Sequence, residues 1–405
     1  MRSITWIGFF CSSRGAAMFH IVKCRAMQVV TCIDDLREMA KQRVARAIFE
    51  YVDCGAYAEY TLRANRADLE SLALRQRVGI DVDRRSTRTT MAGHDAAMPV
   101  ALAPVGLTGL NWADGEILAC RAAQRFGVPY TLSTMSICSI EDVAGGVGKP
   151  FWFQLYVMRD RGFAASLIQR AKKAGCSALV LTLDLQIQGQ RHRDLKNGLA
   201  VPPRLTWGTF FDVMFKPGWA LNVLRGKRRS FGNLEGRIPD ARSLTTLSQW
   251  IAGQFDPTLS WKDVEWVKKL WGGKLILKGI LDAEDAKTAA GCGVDAIVVS
   301  NHGGRQLDST ISSIRALPEI VDAVNGKTEI WMDGGIRSGQ DVLKALAMGA
   351  RATMIGRAYA YGLGAMGEAG VTRALEIIRA ELDVSMALCG VRDVKDVNRS
   401  ILRAA

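Results

Sequence analysis

Residues 274–308 read KLILKGILDAEDAKTAAGCGVDAIVVSNHGGRQLD and contain two apolar runs on either side of a helix-like segment. The runs at 274–278 and 295–300 are apolar with little alternation, which is typical of parallel strands covered on both faces. The segment DAEDAKTAAG at 282–291 fits a helix, and its closing glycine is a helix C-terminal signal. This stretch therefore predicts a parallel strand–helix–strand unit.

The same pattern recurs along most of the chain. Six further apolar runs occupy 98–103, 128–132, 151–155, 178–182, 329–333 and 351–355, with helix-like segments such as 160–174 and 338–349 between them. Eight units in order favour a closed (β/α)₈ TIM barrel of the α/β class over an open doubly wound sheet. Single barrels are also the exception to the rule that a chain of 405 residues makes two or three domains.

Three segments lie outside the repeat. Residues 34–75 precede it and are predicted to form helices, and a long insertion at 186–270 separates the fourth and fifth strands. Residues 1–26 are basic and contain no acid, since the first acidic residue is Asp34. They are interpreted either as a targeting leader or, preferably, as an extension ahead of Met27. Residues 27–405 are expected to form a single domain.

Composition limits the class of protein. With 48% hydrophobic and 23% charged residues, the chain is globular with a large core. Its nine cysteines show no regular spacing, which indicates reduced thiols rather than a disulfide framework or a metal site. The net charge of +13 suits nucleic acid, an acidic membrane surface, or an anionic substrate and cofactor. No nucleic-acid motif is present, so we expect no nucleic-acid partner.

Polar and charged residues follow the predicted strands, where the functional groups of such barrels cluster. The segment SNHGGRQLD at 300–308 is the sharpest of these signals. His302 can accept a proton near neutral pH, and Arg305 offers a planar fork for a carboxylate. Of the other three histidines, His20 lies in the leader, and His94 and His192 are expected in polar loops. This favours His302 as a catalytic base over a structural histidine.

Two glycine-containing segments, DGGIRSG at 333–339 and IGRA at 355–358, follow the seventh and eighth strands. Glycines there let backbone N–H groups approach a phosphate, and the helices that follow add a favourable dipole. Arg337 and Arg357 would neutralise the phosphate charge. The segments predict a phosphorylated ligand, with ordinary glycine turns as the alternative.

Together with LKGI (277–280), FQLY (153–156) and YVDCGAYAEYTLRAN (51–65), these segments resemble the FMN-dependent 2-hydroxy acid dehydrogenase and oxidase family from about residue 28 onward. The resemblance implies FMN as cofactor and an L-2-hydroxy acid, with L-lactate expected, as substrate. Electrons would pass to a quinone or a cytochrome. An oxidase that uses O₂, or an FMN-dependent isomerase on the same barrel, remains the alternative.

The resemblance also implies roles for individual residues. Tyr51 and Tyr156 would contact the substrate, Arg191 and Arg305 would hold its carboxylate, and His302 would take a proton while Asp184 stabilises the imidazolium. Lys278 would offset negative charge on the reduced flavin. The other implied cofactor contacts are Ala103, Pro104, Val105, Gly106, Ser133, Gln154, Thr182, Ser300, Asp333, Gly334, Gly335, Arg337, Gly356 and Arg357.

Two positions depart from the common family pattern. After Asp184 the chain reads LQIQGQRH, where many members have a proline, and this leaves the identity of the substrate open. Gly106 stands where the oxidases tend to carry alanine, which favours a dehydrogenase.

The insertion combines aromatic residues with a basic cluster. Residues 205–231 read LTWGTFFDVMFKPGWALNVLRGKRRSF, and 204–242 contain eight Lys or Arg against three Asp or Glu, a net charge of +5. This combination predicts peripheral docking of a cytoplasmic protein on the inner face of the cell membrane, with a lid or a subunit contact as the alternative. No apolar run is long enough to span a bilayer. The family is often tetrameric, so a homotetramer is expected.

Overall fold

The computed structural model describes residues 29–198, 207–228, 230–234 and 253–403, so the predicted leader lies outside the described residues. Eight parallel strands form one sheet, and each overlaps one of the predicted runs. They are β3 (Val100–Leu102), β4 (Thr131–Leu132), β5 (Trp152–Leu155), β6 (Ala178–Thr182), β7 (Lys274–Ile280), β8 (Ala296–Val299), β9 (Glu329–Met332) and β10 (Ala352–Ile355).

The sheet closes on itself. Hydrogen-bonded neighbours run in the order β3, β10, β9, β8, β7, β6, β5, β4, and a parallel bridge between Leu102 and Tyr130 joins the two ends. Strand and helix alternate from β3 to β10, which confirms the predicted (β/α)₈ barrel.

Helices surround the strands and precede them. Those of the described residues are α1 (Ile33–Arg43), α2 (Arg46–Asp53), α3 (Tyr60–Ser71), α4 (Thr108–Asn111), α5 (Gly115–Phe126), α6 (Ile140–Gly146), α7 (Arg161–Lys173), α8 (His192–Lys196), α9 (Trp207–Met214), α10 (Pro217–Arg225), α11 (Trp261–Trp271), α12 (Ala283–Gly291), α13 (Ser313–Val324), α14 (Gly339–Ala347), α15 (Arg357–Met366) and α16 (Glu368–Leu388). Short 3₁₀ turns at Val394–Asp396 and Arg399–Ile401 follow. Helix α11 lies almost wholly inside the predicted insertion at 186–270 and is the barrel helix that precedes β7.

Two stacked tryptophans fill the barrel interior. The rings of Trp152 and Trp331 lie 5.5 Å apart at 14°, and buried alanines on neighbouring strands leave room for them. An antiparallel hairpin, β1 (Thr89–Met91) and β2 (His94–Ala96), covers the amino ends of the strands, where the His94 ring contacts Trp152. His94 therefore lies in a strand, and His192 begins helix α8. The expectation of polar loops for these two histidines is wrong.

Helices α9 and α10 of the insertion lie against the N-terminal part of the chain. Oδ2 of Asp212 accepts the backbone N–H of Arg46 at 2.6 Å, and Nε1 of Trp219 donates to the carbonyl oxygen of Leu110 at 2.8 Å. Arg228 pairs with Asp114 at 2.7 Å and with Asp142. Within the described ranges, no helix is long and apolar enough to cross a membrane.

Candidate active site

A cavity of about 440 Å³ opens at the carboxyl ends of the barrel strands. Most of the predicted site residues line it: Tyr51, Ala103, Pro104, Val105, Gly106, Ser133, Tyr156, Arg191, Lys278, His302, Arg305, Asp333, Gly334, Gly335, Arg337, Gly356 and Arg357. Each of the other four contacts a residue of this lining: Gln154 accepts a hydrogen bond from Ser133, Thr182 pairs with Lys278 between β6 and β7, Ser300 accepts from Lys278, and Asp184 contacts His302. The barrel thus brings together residues that are up to 306 positions apart in sequence, from Tyr51 to Arg357.

His302 faces this cavity and is paired with Asp184. Nδ1 of His302 lies 2.9 Å from Oδ1 of Asp184, and the two side chains are 16% and 15% exposed. Burial lowers the pKa of His302, and Lys278 and Arg191 add to this effect, while Asp184 opposes it only in part. Burial alone would raise the pKa of Asp184, but His302 and Lys278 outweigh it and hold that pKa below its usual value. The pair therefore combines an ionised carboxylate with an imidazole that can accept a proton.

The backbone at His302 is held in a left-handed conformation, with φ of 58°, which is uncommon for a residue other than glycine. Its N–H donates to Oγ of Ser300 at 3.1 Å, and the N–H of Gly304 donates to Oδ1 of Asn301 at 3.1 Å. These contacts fix the turn. Strain retained at such a position is typical of a functional site.

A pair of buried amides joins this turn to the N-terminal helices. Nδ2 of Asn65 donates to Oδ1 of Asn301 at 2.9 Å, and Nδ2 of Asn301 donates to Oδ1 of Asn65 at 2.8 Å. Asn65, for which the sequence predicts no role, ends the segment YVDCGAYAEYTLRAN. The only sequence signal for a role of Asn65 was its position at the end of a segment that carries the family resemblance.

Two arginines share one side of the cavity with a carboxylate. Nη1 of Arg305 donates to the carbonyl oxygens of Tyr51 at 2.7 Å and Cys54 at 2.8 Å, which orients the guanidinium. Arg191 is buried, and its Nη1 lies 3.6 Å from Oδ2 of Asp194. Burial raises the pKa of Asp194 although Arg305 and Arg191 act against it. Asp194, which was not predicted, offsets part of the positive charge of both arginines.

Lys278 lies deeper in the barrel, between two polar partners. Its Nζ is 2.9 Å from Oδ2 of Asp333 and donates to Oγ of Ser300 at 2.9 Å. Burial alone would lower the pKa of Lys278, but Asp333 and Asp184 outweigh it and raise that pKa. A fixed positive charge is therefore present at the base of the cavity.

The opposite end of the cavity has the features of an anion site. Gly334 and Gly335 have φ of 96° and 88°, a conformation that favours glycine, and Gly356 is the N-cap of α15. The start of α14 is less suited than the sequence suggested, because Asp341 already accepts the N–H groups of Arg337 and Ser338, and Glu381 accepts that of Gly339. Helix α15 begins at this end of the cavity, where its N-cap Gly356 and first residue Arg357 line the wall, and a helix N-terminus favours an anion.

Arg357 lies at this end, but its guanidinium is engaged with the backbone. It donates to the carbonyl oxygens of Val52 at 3.0 Å, Gly303 at 2.9 Å and Cys54 at 2.8 Å. Burial, with a smaller contribution from Arg305, lowers its pKa to about 10, so the group stays charged at neutral pH. Compared with Arg357, Arg337 is the cation more available to a bound anion. Its guanidinium carbon lies 5.2 Å from the Tyr361 ring centroid.

The donor set fits a flavin mononucleotide. Among the described residues, Nε2 of Gln154, Oγ1 of Thr182 and Oδ1 of Asp333 are buried without a hydrogen-bond partner. Buried polar atoms are rarely left unpaired, so a polar ligand is expected beside them. These atoms suit the polar edge of the isoalloxazine ring and the ribityl hydroxyls, and the glycine turns and Arg337 suit the phosphate. No group of three or more His, Cys, Asp or Glu side chains in the described part of the chain could hold a metal ion.

Comparisons with known proteins agree on one family. The model of the FMN-dependent dehydrogenase family matches residues 40–404. The L-lactate dehydrogenase of Caulobacter vibrioides (strain NA1000 / CB15N) is 48% identical over 375 residues, which are 92% of this chain and 98% of that protein. That of Acinetobacter baumannii (strain ATCC 17978) is 46% identical with the same coverage.

Solved structures show the same relationship. The monotopic membrane protein (S)-mandelate dehydrogenase superposes with a TM-score of 0.88 at 34% identity, over 93% of this chain and 100% of that chain. A mandelate oxidase superposes with a TM-score of 0.78 at 37% identity, over 93% and 98%. The chain therefore belongs to the family of FMN-dependent dehydrogenases, and it is an FMN-dependent oxidoreductase.

Proposed function

We propose that this enzyme oxidises L-lactate, or a closely similar small L-2-hydroxy acid, to the 2-oxo acid and passes the electrons to an acceptor other than O₂. The observation that carries the proposal is the meeting of the His302–Asp184 pair with two arginines over one cavity. A base and a carboxylate clamp are what a hydroxy acid requires. The relatives at 48% and 46% identity, both L-lactate dehydrogenases, support lactate over mandelate.

Substrate binding is assigned to the cationic side of the cavity. Arg191 and Arg305 bind the carboxylate, since a guanidinium matches its two oxygens. Tyr51 contacts the substrate, and Tyr156 donates a hydrogen bond to its oxygen. Burial, followed by the charge of Asp184, raises the pKa of Tyr156, so its hydroxyl stays protonated as a donor. In this binding mode the substrate hydroxyl would lie near His302.

Proton transfer is assigned to His302. Its Nδ1 is engaged by Asp184, which leaves Nε2 to accept the proton that the substrate loses during oxidation. Asp184 stabilises the imidazolium that results. Lys278 supplies positive charge next to the cofactor, and the bound FMN supplies the chemistry of a two-electron carrier.

The cofactor contacts follow from the same cavity. Gln154, Thr182, Ser133 and Ser300 would hold the polar edge of the ring, and the strand end at Ala103, Pro104, Val105 and Gly106 would also contact the cofactor. Asp333 suits the ribityl chain. Gly334, Gly335, Gly356 and Arg337 hold the phosphate, with Arg357 fixing the nearby backbone.

The choice of acceptor rests on Gly106 and on the relatives. A Cβ at this position would lie 3.0 Å from the Tyr51 hydroxyl and 3.2 Å from the carbonyl oxygen of Met135, so an alanine would crowd the cavity. Oxidases of the family tend to carry that alanine. Together with the dehydrogenase relatives, this favours a quinone or a cytochrome over O₂.

The experiment that tests the proposal is anaerobic reduction of the FMN-loaded enzyme. L-lactate, glycolate, (S)-mandelate and D-lactate are mixed with it in turn, and flavin absorbance is followed. We expect L-lactate to bleach the flavin fastest and D-lactate to leave it oxidised. If no 2-hydroxy acid bleaches a fully loaded enzyme, the proposal is wrong and an isomerase that needs no net oxidation takes its place. Oxygen uptake with L-lactate separates the oxidase from the dehydrogenase.

Membrane docking through the insertion is part of the proposal. Phe211, Met214 and Phe215 on and after α9 are 52%, 60% and 81% exposed, and Leu221 and Leu224 on α10 are 51% and 59% exposed. The side chains of Trp207, Phe210 and Arg229 lie outside the described part. A similar protein, (S)-mandelate dehydrogenase, is a monotopic membrane protein. The exposed apolar surface supports peripheral binding to the inner face of the cell membrane.

A homotetramer, which the family resemblance implies, would be tested by sedimentation analysis.

A further inference from the structure

Gln306 belongs to the segment SNHGGRQLD, but the chemistry proposed above gives it no part. It follows Arg305 of the carboxylate clamp, yet it does not line the active-site cavity and instead lines a second cavity of about 640 Å³. Its side chain is half-buried. A polar group in such a place, beside the turn that carries His302, is expected to have hydrogen-bond partners that explain its position.

The amide of Gln306 bonds to three backbone groups of one loop. Its Nε2 donates to the carbonyl oxygens of Asp184 at 2.7 Å and Ile187 at 3.0 Å, and its Oε1 accepts the N–H of Gly189 at 3.2 Å. A primary amide has two N–H donors and one carbonyl acceptor, so both donors and the acceptor are used. Because backbone groups are fixed donors or acceptors, these partners also determine which way the amide is turned.

This loop, residues 184–190, joins two groups of the proposed active site. It begins with Asp184, shortly after β6, and it ends before Arg191, whose Nε donates to the carbonyl oxygen of Arg305 at 3.4 Å. Three consecutive residues in its middle, 186–188, are exposed, so burial of their side chains contributes little to holding it. The position of Asp184 relative to Arg191 therefore depends on the hydrogen bonds of the loop backbone.

Close packing leaves the loop little room on either side of the amide. A Cβ on Gly279 of β7 would lie 2.6 Å from Cγ of Asp184, and a Cβ on Gly189 would lie 2.6 Å from the carbonyl oxygen of Gln306. Both glycines thus allow a close approach that a larger residue would prevent. A displacement of the loop would therefore be passed on to Asp184 at one end and to Arg191 at the other.

We propose that Gln306 is a positioning residue for the reaction: its amide fixes the loop that carries Asp184 at one end and Arg191 at the other. Through that loop it sets where the Asp184 carboxylate meets His302 and where the Arg191 guanidinium meets the substrate carboxylate. The inference rests on the proposed function, and it adds the side chain that sets the spacing between the proton-transfer pair and the clamp. Such spacing matters because a misplacement of about 1 Å can lower a rate about 10²-fold.

The test compares FMN-loaded, full-length Gln306→Met with the parent enzyme. Methionine is an unbranched side chain of similar length, but it cannot make the two N–H bonds and is only a weak acceptor. We expect kcat/KM for L-lactate to fall about 10- to 100-fold. The displaced Asp184 should lower kcat, and the displaced Arg191 should raise KM.

The pH profile separates positioning from fold stability. Burial lowers the pKa of His302 and Asp184 opposes it, so a displaced Asp184 leaves that pKa lower still. Lys278 and Arg191 also lower it, but each has a smaller effect than Asp184, so the direction is unchanged. The neutral ring then persists to lower pH, and the acid limb of kcat/KM should move in that direction.

Binding of oxalate, a small dicarboxylate, reports on the other end of the loop. We expect its Kd, measured by calorimetry, to rise about tenfold in Gln306→Met, because Arg191 loses its alignment with a bound carboxylate. A second variant, Gly189→Ala, keeps the Gln306 amide but forces the loop away from the Gln306 backbone. It should show the same shift of the acid limb and the same rise in Kd.

The matched control is Gln124→Met. Nε2 of Gln124, on α5, also donates to a backbone carbonyl oxygen, that of Lys149 at 2.7 Å, and Gln124 lines neither of the two cavities. Its loss should change neither kcat/KM, nor the acid limb, nor the Kd of oxalate.

Each other outcome is also decisive. If Gln306→Met unfolds in less urea while its acid limb and oxalate affinity match those of the parent, Gln306 serves fold stability alone and the proposal is wrong. If Gln306→Met cannot be obtained folded, parent-like values in Gly189→Ala overturn the proposal. If no hydroxy acid reduces the flavin of the parent, the proposed function fails, and the Kd of oxalate then tests the role of Gln306 by itself.

Discussion

Nδ1 of His302 lies 2.9 Å from Oδ1 of Asp184, and this contact decides which imidazole nitrogen is left for the substrate. The two residues are 118 positions apart and follow strands β8 and β6. Because the carboxylate accepts the Nδ1 proton, the neutral ring presents Nε2 as an acceptor to the cavity. The pair therefore acts as one unit, in which Asp184 orients the imidazole of His302 and stabilises its protonated form.

The pH dependence of kcat/KM should report the pKa of His302. Burial lowers this pKa below the ordinary 6.5, and proton abstraction requires the neutral ring. Activity is therefore present above the pKa and is lost as the pH falls through it. We expect an acid limb with a midpoint below 6.5, measured as kcat/KM for L-lactate with a dye acceptor. A midpoint above 6.5 would show that Asp184 outweighs burial.

Replacing Asp184 tests its contribution. Asp184→Asn should lower kcat/KM by about 10²- to 10⁴-fold, since the imidazolium loses its stabilising charge. The acid limb should also move to lower pH, because the carboxylate no longer favours the protonated ring. The matched control is Asp295→Asn, at an aspartate that pairs with Lys274 at 2.8 Å near the amino end of the barrel. An unshifted acid limb in Asp184→Asn would contradict the assigned role.

The carboxylate clamp depends on guanidinium geometry as well as charge. Arg305→Lys keeps the charge but loses the planar fork and the hydrogen bonds to the carbonyl oxygens of Tyr51 and Cys54. We expect the Kd of oxalate, a small dicarboxylate used as a probe of the clamp, to rise about 10- to 100-fold, or about 1.4 to 2.8 kcal/mol. Arg159→Lys, at an exposed arginine whose Nε donates to the Phe255 carbonyl oxygen, is the control. If Arg305→Lys and the parent bind oxalate with equal affinity, Arg305 does not bind the substrate carboxylate.

Periodicity in the sequence was sufficient to predict the barrel, because buried parallel strands and their helices have strong local signatures. Positions at strand ends, such as His302 and Asp184, could be predicted to meet because all eight strands point the same way. Contacts from outside the repeat could not be predicted in this way. Asn65 bonds to Asn301 across 236 residues, and nothing local indicates that partner.

The role of Arg357 shows a similar limit. A strand-end arginine beside a glycine predicts phosphate binding, but nothing local predicts that its guanidinium also donates to Val52, Gly303 and Cys54. Those acceptors lie in the N-terminal helices and in the His302 turn, which only tertiary packing brings within reach. Hydrogen bonds to backbone carbonyl oxygens cannot be predicted from the pattern of side chains in the sequence.

The glycine turn of the anion site should tolerate no side chain. Gly335 has φ of 88°, and a Cβ there would clash with the carbonyl oxygen of Asn65. We expect Gly335→Ala to destabilise the protein by about 1 to 3 kcal/mol and to release FMN, measured by urea unfolding and by flavin fluorescence. The control is Gly145→Ala in α6, where a Cβ meets no atom within 4 Å. It should be neutral or slightly stabilising. Full FMN retention in Gly335→Ala would argue against this turn as part of the phosphate site.

Membrane docking should depend on the exposed residues of the insertion. The triple variant F211S/M214S/F215S removes apolar side chains that are 52%, 60% and 81% exposed, so the fold should not be affected. We expect its partition onto vesicles with anionic lipid to fall at least about tenfold, since each buried apolar side chain contributes on the order of 1 kcal/mol at an interface. Val78→Ser, at a valine that is 82% exposed elsewhere, should pellet like the parent. Because lipid charge also contributes, raising the salt concentration should release the parent only in part. If the triple variant and the parent pellet equally, α9 does not contact the membrane, and the insertion is better explained as a contact between subunits.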